Sequence, residues 1–290
     1  MVSEDVEIAA VVVHWNSLDA LPACLRALSG TPGLQPVVVD NASPDGGEAS
    51  VRGEFPGTVW VSMRRNAGFG AGINAGARSV GGRWVLVLNP DTVIEGREVR
   101  ELARWADGHG AAAVAPLLRG PDGTLERSWD TRDSAFGDLL RRFAYRLRWS
   151  PRPPREPIRA AWLTGACLLV RRDVFDAVGG FDESYFLYFE DVDLGRRIRA
   201  RGERLVLHPG FEARHRRGGS AEGSETRAVA AYRCSELRYV TRHRPKWQRA
   251  LARWNAERLA ARWESGTGGG EAHEAAASLR AVLAEPDSRA

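Results

Sequence analysis

Four short apolar segments in the first ninety residues place the strongest constraint on how this chain folds. They are residues 6–14, 36–40, 58–63 and 83–88. Each is rich in β-branched or bulky apolar side chains and contains few polar residues, which is typical of strands buried on both sides. Segments with helical apolar spacing lie between them, at residues 18–28 and 69–78. Strands that alternate with helices predict an α/β fold, in which helices flank a mostly parallel sheet.

Polar residues gather at the points where these four strands end. The carboxyl ends of parallel strands meet at one edge of a sheet, and ligands of such folds bind beyond that edge. The residues predicted to lie there are His14, Trp15, Asn16, Asp40, Asn66, Gly68, Asn89 and Asp91. The sequence therefore predicts one binding site that is built from four strand ends.

A glycine-rich stretch, residues 66–76, begins just before the second helical segment. Glycines let the backbone approach a phosphate closely, and a helix N-terminus favours an anion. Gly70, Gly72 and Ala75 have the G-x-G-x-x-A spacing of dinucleotide-binding folds, so a nicotinamide-dependent dehydrogenase is one hypothesis. That fingerprint normally follows the first strand, however, whereas this stretch follows the third. Close packing of the helix on the sheet explains the same glycines.

Acidic residues in both halves of the chain could carry chemistry. Asp40 could accept a hydrogen bond from the imide N–H of a base, or it could form a turn. Asp91 suits a hard divalent cation that also binds a pyrophosphate, or it could cap a helix. Asp191 and Asp193 lie in an acidic cluster: Asp191 could accept a proton from a hydroxyl group, whereas Asp193, or the whole cluster, could cap the basic helix that follows. His215 is a reasonable further metal ligand.

Cysteine content and the N-terminus limit the compartment. Cys24, Cys167 and Cys234 are odd in number and widely spaced, which argues against a disulfide framework and favours a reducing environment. The acidic N-terminus lacks the basic start of a signal peptide, and its apolar run is too short to span a bilayer. We therefore predict a cytoplasmic protein, with peripheral contact to the inner face of the plasma membrane as an extension of that prediction.

Basic residues are distributed unevenly along the chain. The net charge of +4 does not predict a nucleic-acid partner. Residues 141–172 nevertheless hold nine arginines and one acid, and residues 226–263 hold ten basic residues and two glutamates. Within the second segment, Trp247, Leu251 and Trp254 share one helix face. That face could lie on an anionic membrane, pack on its own domain, or form a homodimer.

Seven stretches together resemble the family 2 glycosyltransferases of the GT-A fold, most closely the rhamnosyltransferase-like branch. In chain order they are VVVHWNS, VVVDNAS, RNAGFGAGINAG, VLVLNPDT, WLTGACLLVRR, GGFDESYFLYFEDVDLGRR and HPGFEARHRRGGS. The resemblance implies inverting transfer of a sugar from a dTDP- or UDP-linked donor to a hydroxyl group. The branch favours a deoxysugar such as rhamnose, and the acceptor could be a glycan, a lipid-linked sugar or a small molecule.

The resemblance also implies roles for individual residues. The donor would contact His14, Trp15, Asn16, Asp40, Asn66, Gly68 and Asn89. The acceptor would contact Trp162, Thr164, Gly165 and Glu190. Asp191 would be the catalytic base, and Asp91 and His215 would hold Mg²⁺ or Mn²⁺. Asn89 stands where the family's D-x-D motif has its first aspartate, a change that weakens metal binding in principle.

Three parts of the chain are expected on the same basis. Residues 1–110 would form the nucleotide-sugar-binding half of the GT-A domain, residues 111–224 its acceptor-binding and catalytic half, and residues 225–290 a C-terminal helical extension. A sugar-nucleotide-binding protein without catalytic activity is a further hypothesis. The presence of Asp91, Asp191 and His215 argues against it.

Overall fold

The structure is a computed structural model that describes residues 7–46, 48–133, 153–216, 225–266 and 269–285. Residues 141–152, which carry five of the arginines in the first basic segment, lie outside this part of the chain.

A mixed sheet forms the centre of the described fold, and most of its strands run parallel. Its nine strands are β1 (Ile8–His14), β2 (Leu34–Asp40), β3 (Val59–Ser62), β4 (Trp84–Leu88), β5 (Thr92–Val93), β6 (Ala113–Arg119), β8 (Ile158–Ala160), β10 (Cys167–Arg171) and β11 (Leu205–His215). The order across the sheet is β3-β2-β1-β4-β10-β6-β11-β5, and β8 pairs with β11. A separate pair is formed by β7 (Trp129–Asp130) and β9 (Trp162–Leu163). The predicted α/β class is confirmed.

Helices cover both faces of the sheet, and an apolar cluster lies on each face. The helices of the described residues are α1 (Leu21–Leu28), α2 (Glu48–Glu54), α3 (Phe69–Ser79), α4 (Gly96–His109), α5 (Arg172–Ala177), α6 (Glu190–Ala200), α7 (Glu225–His243), α8 (Lys246–Ser265) and α9 (Gly269–Ala284). The central sheet draws strands from both sides of residue 110, so the boundary between the two halves stays a prediction.

The carboxyl ends of the first strands lie side by side, as the sequence predicts. The parallel register pairs His14 with Asp40, and Asp40 with Ser62. β4 runs parallel to β1 on the other side, and Asn89 follows its last residue. These strand ends form the edge on which the candidate site is built.

Glycines of the stretch 66–76 are explained largely by packing. A Cβ on Gly72 would lie 2.8 Å from the side chain of Val13, and one on Gly76 would lie 2.4 Å from that of Val11. Both contacts are shorter than van der Waals distance, so α3 can approach β1 this closely only with glycine at these positions. The packing explanation of these two glycines therefore holds.

Two strands predicted in the second half differ in extent from the structure. The apolar segment 161–171 is divided into β9 and β10, because residues 164–166 lie in neither strand and β9 pairs with β7 outside the central sheet. The strand predicted at residues 205–208 continues to His215 through a bulge after His208. Pro209 follows His208 and has no N–H to donate, which agrees with the break in the ladder there.

Helices α7 to α9 pack together around a small apolar cluster that includes Cys234, Leu237 and Leu279. One face of α8 is left open: Trp247, Leu251 and Trp254 are 57%, 44% and 50% exposed. Another side of α8 packs in this cluster through Ala256, Ala260 and Leu259, so the helix does pack on its own domain. Contact of the open face with a membrane or a second copy stays a prediction. Among the described helices, none is sufficiently long and apolar to cross a bilayer.

Candidate active site

His14 is the last residue of β1, at the edge formed by the strand ends, and is almost fully buried. Its Nδ1 lies 2.8 Å from the hydroxyl of Ser17, and its Nε2 lies 3.3 Å from a carboxylate oxygen of Asp45. The other oxygen of Asp45 accepts a hydrogen bond from the backbone N–H of Leu18 at 3.3 Å. His14 therefore ties the loop after β2 to the loop after β1.

Trp15, Asn16 and Asp40 are the more accessible residues of this edge. Asn16 has a positive φ of 50°, and its backbone N–H donates to the hydroxyl of Ser43 at 2.7 Å. Asp40 receives a hydrogen bond from the backbone N–H of Ser43 at 2.8 Å. Asp40 thus starts a turn, which agrees with one interpretation of the sequence, and it remains partly exposed at the end of β2.

Asn41, which is buried, organises the loop before α3. Its side-chain N–H₂ donates to the side-chain oxygen of Asn66 at 2.9 Å, and its own oxygen accepts from the N–H of Ala67 at 3.0 Å. The oxygen of Asn66 also accepts from the N–H of Gly68 at 3.0 Å. These bonds fix the conformation of a loop for which the sequence predicts donor binding.

Gly68 lies where the loop before α3 meets the aromatic segment that contains Phe186. Its φ is +95°, and a Cβ would lie 2.3 Å from the carbonyl oxygen of Phe186. The same carbonyl accepts a hydrogen bond from the N–H of Phe69 at 3.0 Å. The glycine is required by this close approach of two loops.

Asp91 and His215 face each other at the end of β4. Pairing of β11 with β5 sets His215 opposite Thr92, and the backbone N–H of Arg216 donates to the carbonyl of Asp91 at 2.9 Å. His215 Nε2 then lies 3.3 Å from Asp91 Oδ1 and 3.4 Å from the side-chain nitrogen of Asn89. The three residues that the resemblance linked to metal and donor are therefore together.

Glu126 holds the other side of the His215 ring. Its Oε2 lies 2.8 Å from His215 Nδ1, and both side chains are largely buried. Burial by itself lowers the pKa of His215, but the contacts with Asp91 and Glu126 outweigh it, so the pKa is raised. Nothing in the sequence around Glu126 predicts this contact with His215.

The acidic pair at the start of α6 lies beside the segment that separates β9 from β10. Asp191 Oδ2 accepts a hydrogen bond from the N–H of Gly165 at 3.2 Å, and the hydroxyl of Thr164 also hydrogen-bonds this carboxylate. Burial raises the pKa of Asp191 despite these bonds. Burial and the neighbouring Asp191 charge raise the pKa of Glu190 well above its usual range. The pair thus holds its protons more strongly than exposed carboxyl groups do.

The acidic pair of α6 and the pair of Asp91 and His215 are linked through residues 165–166. The backbone N–H of Asn89 donates to the carbonyl of Ala166 at 3.1 Å, directly after Gly165. Gly165 itself touches Asp191, and Trp162 precedes it in β9. Residues predicted to contact the donor, the acceptor and a cation are therefore brought together, although they are far apart in sequence.

Asp193, two residues after Asp191, is occupied by contacts that hold the fold together. Its carboxylate receives hydrogen bonds from Arg197 at 2.6 Å and pairs with His243 of α7 at 3.0 Å. Burial would raise the pKa of Asp193, but these partners lower it. Asp193 links α6 to the C-terminal helices.

Clusters of three or more His, Cys, Asp or Glu side chains arranged to bind a metal are absent from the described residues. Two side chains do present suitable donor atoms: the imidazole nitrogen of His215 and Asp91 Oδ1. In the described part of the chain, Asp91 Oδ1 is buried and has no hydrogen-bond partner beyond the 3.3 Å approach of His215. A buried carboxylate oxygen left in this way fits a divalent cation, whose remaining positions would go to substrate phosphates and water.

Comparisons with known proteins define the class. The profile of the family described as Glycosyltransferase like family 2 matches residues 6–242. The chain is 31% identical over 244 residues to an N-acetylglucosaminyl-diphospho-decaprenol L-rhamnosyltransferase of Mycobacterium tuberculosis, which covers 75% of this chain and 78% of that protein. It is 27% identical over 166 residues to Rhamnosyltransferase WbbL of Escherichia coli, covering 56% of this chain and 62% of that one.

A solved structure has the same fold. The mannosyltransferase PcManGT from Pyrobaculum calidifontis, in complex with GDP-Man and Mn²⁺, superimposes with a TM-score of 0.57 over 95% of this chain and 79% of that one, at 18% identity. The protein is a glycosyltransferase with a GT-A fold that uses a nucleotide-sugar donor. More narrowly, the chain belongs to glycosyltransferase-like family 2 and is rhamnosyltransferase-like. The dehydrogenase hypothesis is not supported.

Proposed function

We propose that this enzyme transfers rhamnose from a dTDP-linked donor to a sugar hydroxyl of a lipid-linked acceptor, with inversion at the anomeric carbon. The observation that carries the proposal is the carboxylate of Asp191, which is hydrogen-bonded to Gly165 and Thr164 and remains partly exposed. The decaprenol-linked acceptor in the name of the M. tuberculosis relative supports the acceptor class, and both rhamnosyltransferase relatives support the sugar.

Asp191 would act as the general base. Its carboxylate would take the proton of the acceptor hydroxyl while that oxygen bonds to the anomeric carbon and the bond to the diphosphate oxygen breaks. One displacement inverts the configuration and needs no carboxylate nucleophile. A carboxylate whose pKa is raised by burial is a stronger base than an exposed aspartate, which suits this role.

Asp91 and His215 would hold Mg²⁺ or Mn²⁺. Such a cation supplies Lewis-acid stabilisation of the charge on the departing diphosphate. PcManGT, which shares the fold, is in complex with Mn²⁺, and this supports a divalent metal here. The donor itself would lie over the strand ends, along Asn66, Gly68 and Asn89, with the base near Asp40 and the loop of Trp15 and Asn16. His14 would keep that loop in place.

The open face of α8 supports peripheral contact with a membrane, at the inner face of the plasma membrane. Trp247, Leu251 and Trp254 are exposed, and Lys246 and Arg258 are exposed beside them. Apolar side chains flanked by cations are typical of helices that lie on anionic lipid surfaces. In a symmetric homodimer this face would bring like charges together, and three side chains cover little of the roughly 1,200 Å² that a stable interface buries. We therefore favour the lipid surface as the partner.

Vesicle co-sedimentation tests the membrane contact on the full chain. Wild type is expected to sediment with phosphatidylglycerol vesicles and much less with phosphatidylcholine vesicles. The double variant Trp247→Ser/Trp254→Ser should lose this binding, whereas Val229→Ser, which changes an exposed apolar residue of α7, should retain it. Wild type that stays in the supernatant, or that is a dimer which the double variant converts to monomer, would contradict the proposal.

Turnover tests the reaction. Purified enzyme should release dTDP from dTDP-rhamnose only when a polyprenyl-diphospho-N-acetylglucosamine acceptor is added. Asp191→Asn should lower kcat about 100-fold or more while dTDP still binds. Asp173→Asn, an exposed acid beside Arg171, is the control and should be unchanged. Near-normal turnover by Asp191→Asn would show that the catalytic base is assigned incorrectly. Activity with other nucleotide-sugars but not with dTDP-rhamnose would show that the donor sugar is assigned incorrectly.

A further inference from the structure

Glu126 lies in a short irregular segment that no part of the reaction described so far uses. This segment, residues 120–133, follows β6 and is irregular apart from the short strand β7. The backbone N–H of Glu126 donates to the carbonyl of Leu118 in β6 at 2.8 Å. Because β6 pairs with β11, which ends in His215, this bond holds the backbone of Glu126 against the strand next to the one that carries the imidazole.

The contact fixes which nitrogen of His215 is available. Glu126 is 8% exposed, and its Oε2 lies 2.8 Å from His215 Nδ1. A carboxylate at this distance accepts a hydrogen bond from Nδ1–H, which leaves Nε2 as the nitrogen with a lone pair. Nε2 is the atom that faces Asp91 Oδ1 at 3.3 Å. The ring is therefore held in the tautomer and orientation that a metal ligand needs.

We propose that Glu126 is a positioning residue for His215, whose ring it orients as a ligand of the divalent cation. The inference rests on the proposed metal site of Asp91 and His215 and goes beyond it. Histidines that bind metals generally donate their second N–H to a carboxylate or a carbonyl, and loss of that partner typically lowers metal affinity by about 10- to 100-fold. In this role Glu126 acts through His215.

The geometry of the surrounding segment supports a precise position for Glu126. Two residues further on, the carbonyl of Ser128 accepts a hydrogen bond from the N–H of Thr164 at 2.8 Å, and Trp129 pairs with Leu163. The same segment thus runs from the metal ligand to the acceptor side of the site. A side chain supported at both ends of its segment has little freedom to move, which is what a positioning role requires.

Mn²⁺ binding distinguishes this role from a purely structural one. Electron paramagnetic resonance would measure the Mn²⁺ affinity of the full chain at saturating dTDP, with affinity for dTDP alone measured separately. Glu126→Leu removes the acceptor and should weaken Mn²⁺ binding about 10- to 100-fold without changing the binding of dTDP alone. Glu126→Gln keeps an acceptor oxygen and should recover part of the affinity. Glu212→Gln is the matched control, because Glu212 is on the same strand as His215 but pairs with Arg119.

A spectroscopic signature keeps the inference testable if Glu126→Leu does not fold. In wild type and Glu212→Gln, electron spin echo modulation should show the ¹⁴N coupling of an imidazole bound to Mn²⁺, and in Glu126→Gln this coupling should be altered. His215→Ala should lose Mn²⁺ binding if the metal site is correct. If it does, but Glu126→Leu binds Mn²⁺ normally or the spectrum of Glu126→Gln is unaltered, the role of Glu126 is refuted and the metal site stands. If wild type does not bind Mn²⁺ with dTDP, the metal site and this inference fail together, while acceptor-dependent release of dTDP is judged separately.

Discussion

Substitution of Asp133 should destabilise the enzyme clearly, although Asp133 lies outside the helices and strands. Its Oδ1 accepts hydrogen bonds from Arg244 at 2.6 Å and Tyr239 at 2.8 Å, and its Oδ2 accepts from Arg199 at 2.8 Å and Arg196 at 3.1 Å. The carboxylate is 1% exposed and the side chain of Arg244 is 3% exposed. Asp133 therefore joins α6, which begins at the acidic pair of the site, to the C-terminal helices.

The pKa of Asp133 gives the size of the effect. Burial alone would raise this pKa, but the hydrogen bonds and charge of Arg244, with Tyr239 and Arg196, lower it to about 2. The fall from an ordinary value near 3.8 corresponds to about 2 kcal/mol of stability at neutral pH. A pKa lowered in the folded state means that this stability is present above pH 4 and is lost as the pH falls through the folded pKa. At pH 3 about half of it should remain.

Thermal unfolding measures this effect. Asp133→Asn should lower Tm by about 5 °C at pH 7, and the difference from wild type should shrink at pH 3. Glu54→Gln is the control, since it breaks an exposed pair with Arg26 that contributes roughly 0–1 kcal/mol. A Tm of Asp133→Asn equal to that of Glu54→Gln, or a difference that stays constant between pH 7 and pH 3, would refute the reasoning.

Further predictions concern the site itself. Gly68→Ala should weaken nucleotide binding in a calorimetric titration, because its Cβ would collide with the carbonyl of Phe186, whereas Gly81→Ala has open space and should bind normally. Glu190→Gln should keep more activity than Asp191→Asn, because burial and the neighbouring Asp191 raise the pKa of Glu190, which favours the neutral form that an amide resembles; a loss as large as that of Asp191→Asn would contradict this. Turnover by wild type should fall on the acid side at a pH above the usual aspartate range, because Asp191 must be ionised and its pKa is raised; a normal acid limb would argue against it as the base.

The sheet edge could be predicted from sequence because its pattern is local. Uninterrupted apolar runs mark β1 to β4, and their carboxyl ends must meet once the strands are parallel. Asp40 and Asn89 could be placed at that edge before any contact was known. That Asp91 and His215 lie near Asp191 could be predicted only from the family resemblance. The pairing of β10 with β4, which brings these residues together, spans about 80 residues of sequence and leaves no local signal.

Contacts that span the irregular segment could not be predicted. Glu126 meets His215 across 89 positions of sequence, and Asp133 meets Arg244 across 111. Neither acid lies in a periodic pattern, so either could equally have been a solvated surface residue. Asn41 is a different case. It lies within VVVDNAS, one of the stretches that carry the family resemblance, but only the structure shows that it is buried and hydrogen-bonded to Asn66.

The replacement of an acid by Asn89 changes how the metal and the donor should depend on each other. Asp91 is the one carboxylate that faces His215 Nε2 among the residues described at this strand end, so the protein alone offers a cation few charged ligands. Most of the attraction must then come from the diphosphate. Thermodynamic linkage requires that dTDP raise the affinity for Mn²⁺ by the same factor as Mn²⁺ raises the affinity for dTDP. Calorimetry should show weak Mn²⁺ binding to the free enzyme and a gain of about 10-fold or more with dTDP, and Asn89→Asp should strengthen binding to the free enzyme. Tight Mn²⁺ binding without nucleotide, unchanged in Asn89→Asp, would show that other ligands hold the ion.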